Sequence, residues 1–181
     1  MTIQAGTHKL GPGNGTLSVK TERTGAAAKA GHNLLIHVNS WEATLTVADD
    51  PTQCSLSVDA DPTSLQVIEG SGGVQGLGDD DKKNIQKTIN DDVLKSKAIE
   101  FRSTKVGTTT DGNLNIQGDL SLNGKTSPVG FTLIADDGGK LSASAVVKQT
   151  NWGMKPYSAL FGALKVVDEV TVEIDGSLPA G

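Results

Sequence analysis

The side chains with chemical reach are few and scattered: three histidines, one cysteine (Cys54), and an acidic run, Asp79-Asp80-Asp81, in a chain of 181 residues. His32 and His37 are close in sequence, but on an extended chain side chains five apart point to opposite faces, so the two do not form a metal pair. No other His, Cys or carboxylate group has ligand spacing, and no metal or cofactor is expected. His32 shares parity with Leu34, Ile36 and Val38 and should face inward, while His37 faces solvent. Two roles stand side by side for His32: a core histidine hydrogen-bonded to a turn, or a residue that touches a ligand. A third role, general base in an apolar tunnel, ranks below both, because no orienting carboxylate or nucleophile partner is visible. The protein is therefore not expected to be an enzyme.

Two other stretches invite a chemical reading and lose it on inspection. DDDKKN lacks the spacing and central glycine of a calcium-binding EF-hand loop, and its acids suit the start of a helix. The glycine-rich string GSGGVQGLG at 70–78 runs into that helix, but no parallel βαβ pattern follows, so it reads as a flexible loop leading to the helix N-cap. No Gly-x-Ser-x-Gly elbow is present.

The elements that must position these residues are mostly strands. In NLNIQGDLSLN, residues 113–123, Leu114, Ile116, Leu120 and Leu122 point one way around Gly118, and the polar residues point the other. The same period of two recurs in Leu17 and Val19, in Ala30 to Val38, and in Trp41, Ala43, Leu45 and Val47. It continues in Cys54, Leu56 and Val58, Leu65 and Val67, and Ile99, Phe101 and Ser103, then in Val129, Phe131 and Leu133. Leu141, Ala143, Ala145 and Val147 follow, and Val170, Val172 and Ile174 come last. Turn signals separate them, among them Asp-Gly at 111–112 and Asn-Gly at 123–124. One segment differs. In DDDKKNIQKTINDDVLKSK, Ile85, Ile89 and Val93 recur every four residues, with Leu94 beside them, which predicts an amphipathic helix of about four turns over 80–94, N-capped by the acidic run. Long antiparallel strands hide their dry faces by closing into a barrel, with a two-sheet sandwich as the runner-up. The whole chain, 1–181, reads as a single all-β domain: an extended antiparallel eight-stranded barrel with one amphipathic helix.

Charge and hydropathy exclude several functions. The net charge is −5 and no basic cluster interleaves with aromatics, so no nucleic-acid partner is expected. No apolar run is long enough for a membrane-spanning helix. The start, MTIQAGTHKLGPGNG, lacks a basic region and an apolar core, which predicts no secretory signal and a cytoplasmic protein, or a periplasmic or secreted one if the chain is a processed form.

Six aromatics serve the whole chain, and Trp152, Tyr157 and Phe161 fall within ten residues of one another. Gly153, Pro156 and Gly162 break that stretch, which places it at a barrel end, either lining a tunnel mouth or plugging it. Small residues at Ala43, Gly118, Ala143 and Ala145 leave room inside, although backbone packing also explains Gly118. The candidate ligand wall follows from parity. It comprises His32, Leu34 and Ile36; Trp41 and Leu45; Phe101; Ile116 and Leu120; Phe131 and Leu133; Ala143 and Ala145; and Trp152, Met154 and Tyr157 at the end.

Taken in order, AGHNLLIHVNSWEATL from Ala30, SLQVIEGSGG from Ser64, DDKKNIQKTINDDVL from Asp80, IEFRSTKV from Ile99, NIQGDLSLNGKTSPV from Asn115 and WGMKPYSALFGALKVVDEVTVEI from Trp152 resemble the YceI-like family of polyisoprenoid-binding, lipocalin-like proteins. Where relatives place an aromatic or proline before the Ile-x-Phe strand, this chain has Lys97-Ala98. The resemblance implies a lipocalin-like barrel whose apolar tunnel holds a long isoprenoid chain, with Gly31-His32 and Phe101-x-Ser103 at interior or mouth positions and no catalytic residue. The expected function is carrying or sequestering an isoprenoid or related lipid. The alternative is a structural or stress-related barrel with a filled core and a protein partner. The oligomeric state is left open, a homodimer included.

Overall fold

The computed structural model describes residues 3–178, so residues 1, 2 and 179–181 of the expected domain lie outside the described residues. In chain order the elements are β1 (Gly6–Leu10), β2 (Gly15–Thr21), β3 (Arg23–Thr24), β4 (Asn33–Val38), β5 (Trp41–Val47), β6 (Ser55–Ala60), β7 (Leu65–Ser71), α1 (Asp79–Thr88), β8 (Ile99–Thr108), β9 (Leu114–Leu122), β10 (Lys125–Ala135), β11 (Lys140–Lys148), β12 (Ser158–Ala159), β13 (Leu164–Val166) and β14 (Glu169–Ser177). Eleven strands form one curled antiparallel sheet, ordered β1-β5-β6-β8-β9-β10-β11-β14-β2-β4-β7, and β12-β13-β3 form a small second sheet. No helix among the described residues is long and apolar enough to cross a membrane.

The main sheet thus has eleven strands where eight were expected, and the reason is local. β1 and β2 run along β5 and β4 in one direction: Leu10 faces Ala43, and after a break Leu17 faces Val38. β6 and β7 do the same on the other side, with Ala60 facing Trp41 and Leu65 facing Val38. Three long ribbons are therefore each broken once, at 11–14, 39–40 and 61–64. Side chains supply the bends. Asn14 accepts the Gly11 N–H at 2.9 Å and donates to Lys9 O at 3.0 Å. Asp61 accepts the Thr63 N–H at 2.8 Å and its hydroxyl at 2.7 Å, and Pro62 brings no N–H to a ladder. Because β4 passes into β5 through Asn39 and Ser40 alone, the wall curls back onto its own chain.

The alternation holds along the strands. In β9, Leu114, Ile116, Gly118 and Leu122 are buried, while Asn115, Gln117 and Asp119 are exposed. The helix departs from expectation at both ends. Gly78, not an aspartate, is the N-cap residue; the Asp81 carboxylate accepts the Gly78 N–H at 3.0 Å, and all three aspartates sit in the first turn, where they suit the dipole. The α-helical part ends at Thr88 and continues as a π-helical turn, Ile89–Leu94, closed by Lys95 and Ser96 at φ of 53° and 51°. α1 also covers the free side of β7, the last strand in the order. Gln86 Oε1 accepts the Val67 N–H at 2.9 Å, and Lys82 Nζ donates to Ile68 O at 3.0 Å, so the edge is occupied.

Candidate ligand tunnel

The registers bring Thr21, Asn33, Ser71, Ile99, Leu122, Lys148 and Glu169 to one end of the curled wall. Between that end and the opposite one lies a cavity of about 540 Å³. Its deep part is aliphatic, lined by Leu10, Leu17, Leu45, Leu56, Leu133 and Leu141. Among the described residues its ionisable groups are Arg23, His32, Tyr157 and Lys165, and neither Asp nor Glu contributes to the wall. All four belong to the segments around β3, β12 and β13, which makes this end the mouth.

The mouth is stitched by hydrogen bonds to backbone carbonyls. Arg23 Nη1 donates to Gly31 O at 2.7 Å and to Ser71 O at 2.9 Å, tying three segments together. Val166 N–H donates to Tyr157 O at 2.9 Å, and Ala27 N–H to Ala163 O at 2.8 Å. His32 lies before β4 rather than within it, because Ala28–Ala30 is a 3-10 turn and Gly31 follows in extended form. Its Nε2 is 2.6 Å from Gln75 O, in the glycine-rich loop. It thus lines the cavity and bonds a turn at once, so the two readings of this residue do not compete. His37 lies off the wall and is half-buried rather than facing open solvent, in register with Ser18 and Gln66.

Of the fifteen candidate wall residues, the cavity is lined by His32, Leu34, Ile36, Leu45, Phe101, Leu120, Phe131, Leu133, Ala143, Ala145, Met154 and Tyr157. Trp41, Ile116 and Trp152 are not on it. Trp41 is buried at the β4–β5 corner, and its ring end lies 3.3 Å from where a Cβ on Gly15 would stand. Ile116 is fully enclosed, in register between Val106 and Phe131. Trp152 is 2% exposed, and its indole N–H donates to Leu120 O at 2.7 Å. It packs with Leu94, Leu122, Val147 and Met154, so part of this end is plugged and part is open. The aromatic stretch is therefore divided: Trp152 plugs, Tyr157 lines the mouth, and Phe161 points away. Ser103 is structural as well, its Oγ accepting the Leu56 N–H at 2.9 Å beside the end of the β6–β8 ladder.

Several wall residues were missed by strand parity. Arg23 and Lys165 lie in two- and three-residue strands too short for a periodic signal. Ile85, Ile89 and Val93, the apolar stripe of the helix, do face the barrel, but across the cavity, and so remain half-buried. Gln149 is buried and satisfied, its Nε2 donating to Val167 O at 3.1 Å. Thr21 Oγ1, on the wall near the mouth, is buried without a hydrogen-bond partner.

A curled antiparallel wall around an apolar cavity, with polar groups gathered at one end, is the arrangement of a lipocalin-like β-barrel binding protein. The model of the YceI-like domain matches residues 14–178, and the chain belongs to that family. Among solved structures, BcnA of Burkholderia cenocepacia superposes with a TM-score of 0.64 at 16% identity, over 89% of this chain and 94% of its own. The YCEI protein of Campylobacter jejuni superposes with a TM-score of 0.55 at 11% identity, over 81% of this chain and 85% of its own. At these identities the likeness is one of fold. No curated protein sequence matches the chain.

Proposed function

We propose that the protein binds and carries, or sequesters, a lipid with a long apolar chain, of which an isoprenoid is the leading candidate. The observation that supports this reading most directly is the aliphatic cavity of about 540 Å³ with ionisable groups confined to its mouth. That volume lies within the roughly 300–1,000 Å³ of small-molecule sites. Each methylene moved from water into such a wall contributes about 0.8 kcal/mol, so a chain can be held without many polar contacts. The polar end of the ligand would sit at the mouth. There Arg23, His32 and Lys165 favour an anionic or hydrogen-bond-accepting head group, and Thr21 Oγ1 offers an unused hydroxyl. The role is non-catalytic: the His32 ring nitrogen facing the loop is engaged by a backbone carbonyl, and among the described residues no carboxylate on the wall is available to orient it.

Organic extraction of protein purified under native conditions, followed by mass spectrometry, tests this. A stoichiometric lipid with an extended apolar chain is the expected result. Protein that carries no lipid, and takes none up when offered isoprenoid alcohols or phosphates, would return the cavity to the alternative of a structural barrel with a protein partner.

A further inference from the structure

The loop between β12 and β13 carries apolar side chains that the tunnel does not use. Phe161 is fully exposed, and Leu160 is 57% exposed. The conformation that presents them is unusual. Leu160 and Phe161 hold φ of 51° and 55°, in the left-handed region that bulky side chains avoid, and Gly162 follows at 87°. Backbone bonds fix it: Ala163 N–H donates to Leu160 O at 3.1 Å, and β12 pairs with β13 beside it. A strained turn that turns an aromatic ring away from a nearby apolar cavity calls for an apolar partner outside the fold. On the neighbouring mouth loop, Val74 is also 81% exposed.

Charge indicates which partner. The mouth segments 23–32, 71–78 and 153–166 contain Arg23, Lys29, Lys155 and Lys165 and no Asp or Glu of their own, although Glu22, Asp79, Asp168 and Glu169 flank them, in a chain with 21 acidic and 16 basic residues. The acidic first turn of α1 begins only at Asp79. Apolar tips flanked by cations suit a bilayer surface, where rings enter the boundary between head groups and acyl chains and cations meet lipid phosphates.

We propose that the 160–162 tip, with Val74 beside the same mouth, docks the tunnel opening on an anionic phospholipid membrane. This deepens the carrier reading and rests on it, since a mouth held against the bilayer lets an apolar chain pass between membrane and cavity without crossing water.

Vesicle flotation with phosphatidylcholine alone, and with phosphatidylcholine mixed with phosphatidylglycerol, tests the proposal on the full chain. Binding is expected to the mixed vesicles and to be weaker without the anionic lipid. The double substitution Leu160→Ser/Phe161→Ser should lower partitioning about tenfold or more, because it removes the inserted apolar area. Lys29→Gln/Lys155→Gln should reduce the preference for phosphatidylglycerol. Phe161→Trp should give an emission that shifts to the blue on vesicle addition, against Trp41 and Trp152, which are buried in the fold. No binding, or equal binding by the double-serine variant, overturns the proposal. So does a concentration-dependent dimer that the double-serine variant abolishes while vesicles are ignored, since a second copy would then cover the tip. Lipid extracted from the same preparations separates the two readings. A lipid-loaded protein that ignores vesicles overturns the docking surface and leaves the carrier. An empty protein that binds vesicles through Phe161 overturns the carrier and leaves the docking surface.

Discussion

The ring of Phe101 lies over Gly118 of the adjoining strand. A Cβ on Gly118 would stand 2.5 Å from Phe101 Cζ and closer still to Arg102 O. Phe101 also meets Phe131, with ring centroids 5.4 Å apart and planes tilted by 50°. The missing side chain therefore does not add to the cavity; it is the seat of an aromatic that forms part of the wall. Gly118→Ala should push against backbone as well as ring and destabilise the protein by about 1–3 kcal/mol, read as a lower thermal midpoint. An unchanged midpoint would mean that the ring moves aside freely.

Ala143 and Ala145, in contrast, do face the cavity. Ala143→Trp or Ala145→Trp should fill the tunnel and lower lipid loading while unfolding remains cooperative. Equal loading in both variants, measured by extraction, would place the ligand elsewhere.

Trp152 is a plug, so its fluorescence should be blue and indifferent to lipid once Trp41→Phe has removed the other tryptophan. Trp152→Phe keeps most of the apolar body but leaves Leu120 O without its 2.7 Å donor. A loss of about 0.5–1.5 kcal/mol in denaturant unfolding is expected from that lost hydrogen bond. A lipid-dependent emission shift would instead put the indole at the tunnel wall.

Ile89 bridges the cavity and the cluster around Trp152. Ile89→Asp would set an unpaired carboxylate there and should lower stability by roughly 1–3 kcal/mol, together with lipid loading. Normal stability in chemical denaturation would count against the packing of the π-helical turn on the barrel.

Three aspartates at chain bends titrate below the ordinary carboxylate range. Asp50 and Asp61 do so because each accepts hydrogen bonds from the threonine two residues on. For Asp168, burial pushes upward, but the hydroxyl and amide of Thr150, with Lys148 nearby, outweigh it. A carboxylate with a depressed folded pKa holds fewer protons folded than unfolded, so its contribution is complete above the unfolded value and fades as pH falls through the folded one. Stability should therefore drop on acidification below the ordinary aspartate range, with a shallower slope for Asp61→Asn and Asp168→Asn. Thermal melts across that acidic window provide the measurement; slopes identical to wild type would show that the bends do not depend on ionised aspartates.

Alternation along single strands was enough to assign faces. Leu114, Ile116 and Leu122 are inside, and Asn115, Gln117 and Asp119 are outside, because successive side chains on any extended chain point to opposite sides. The four-residue spacing of Ile85, Ile89 and Val93 likewise identified the helix and the side it turns to the barrel. These are local properties, and the sequence carries them in full. What lies behind a face is not local. Ile116 and Phe131 are register partners, yet one is enclosed and the other borders the cavity, a difference made by residues far along the chain. Trp152 and Tyr157 share one broken segment, but only the indole finds a carbonyl in β9 to bind. Whether an inward side chain touches a ligand or another side chain depends on the volumes that surround it in space, and those are set only once all the strands have curled together.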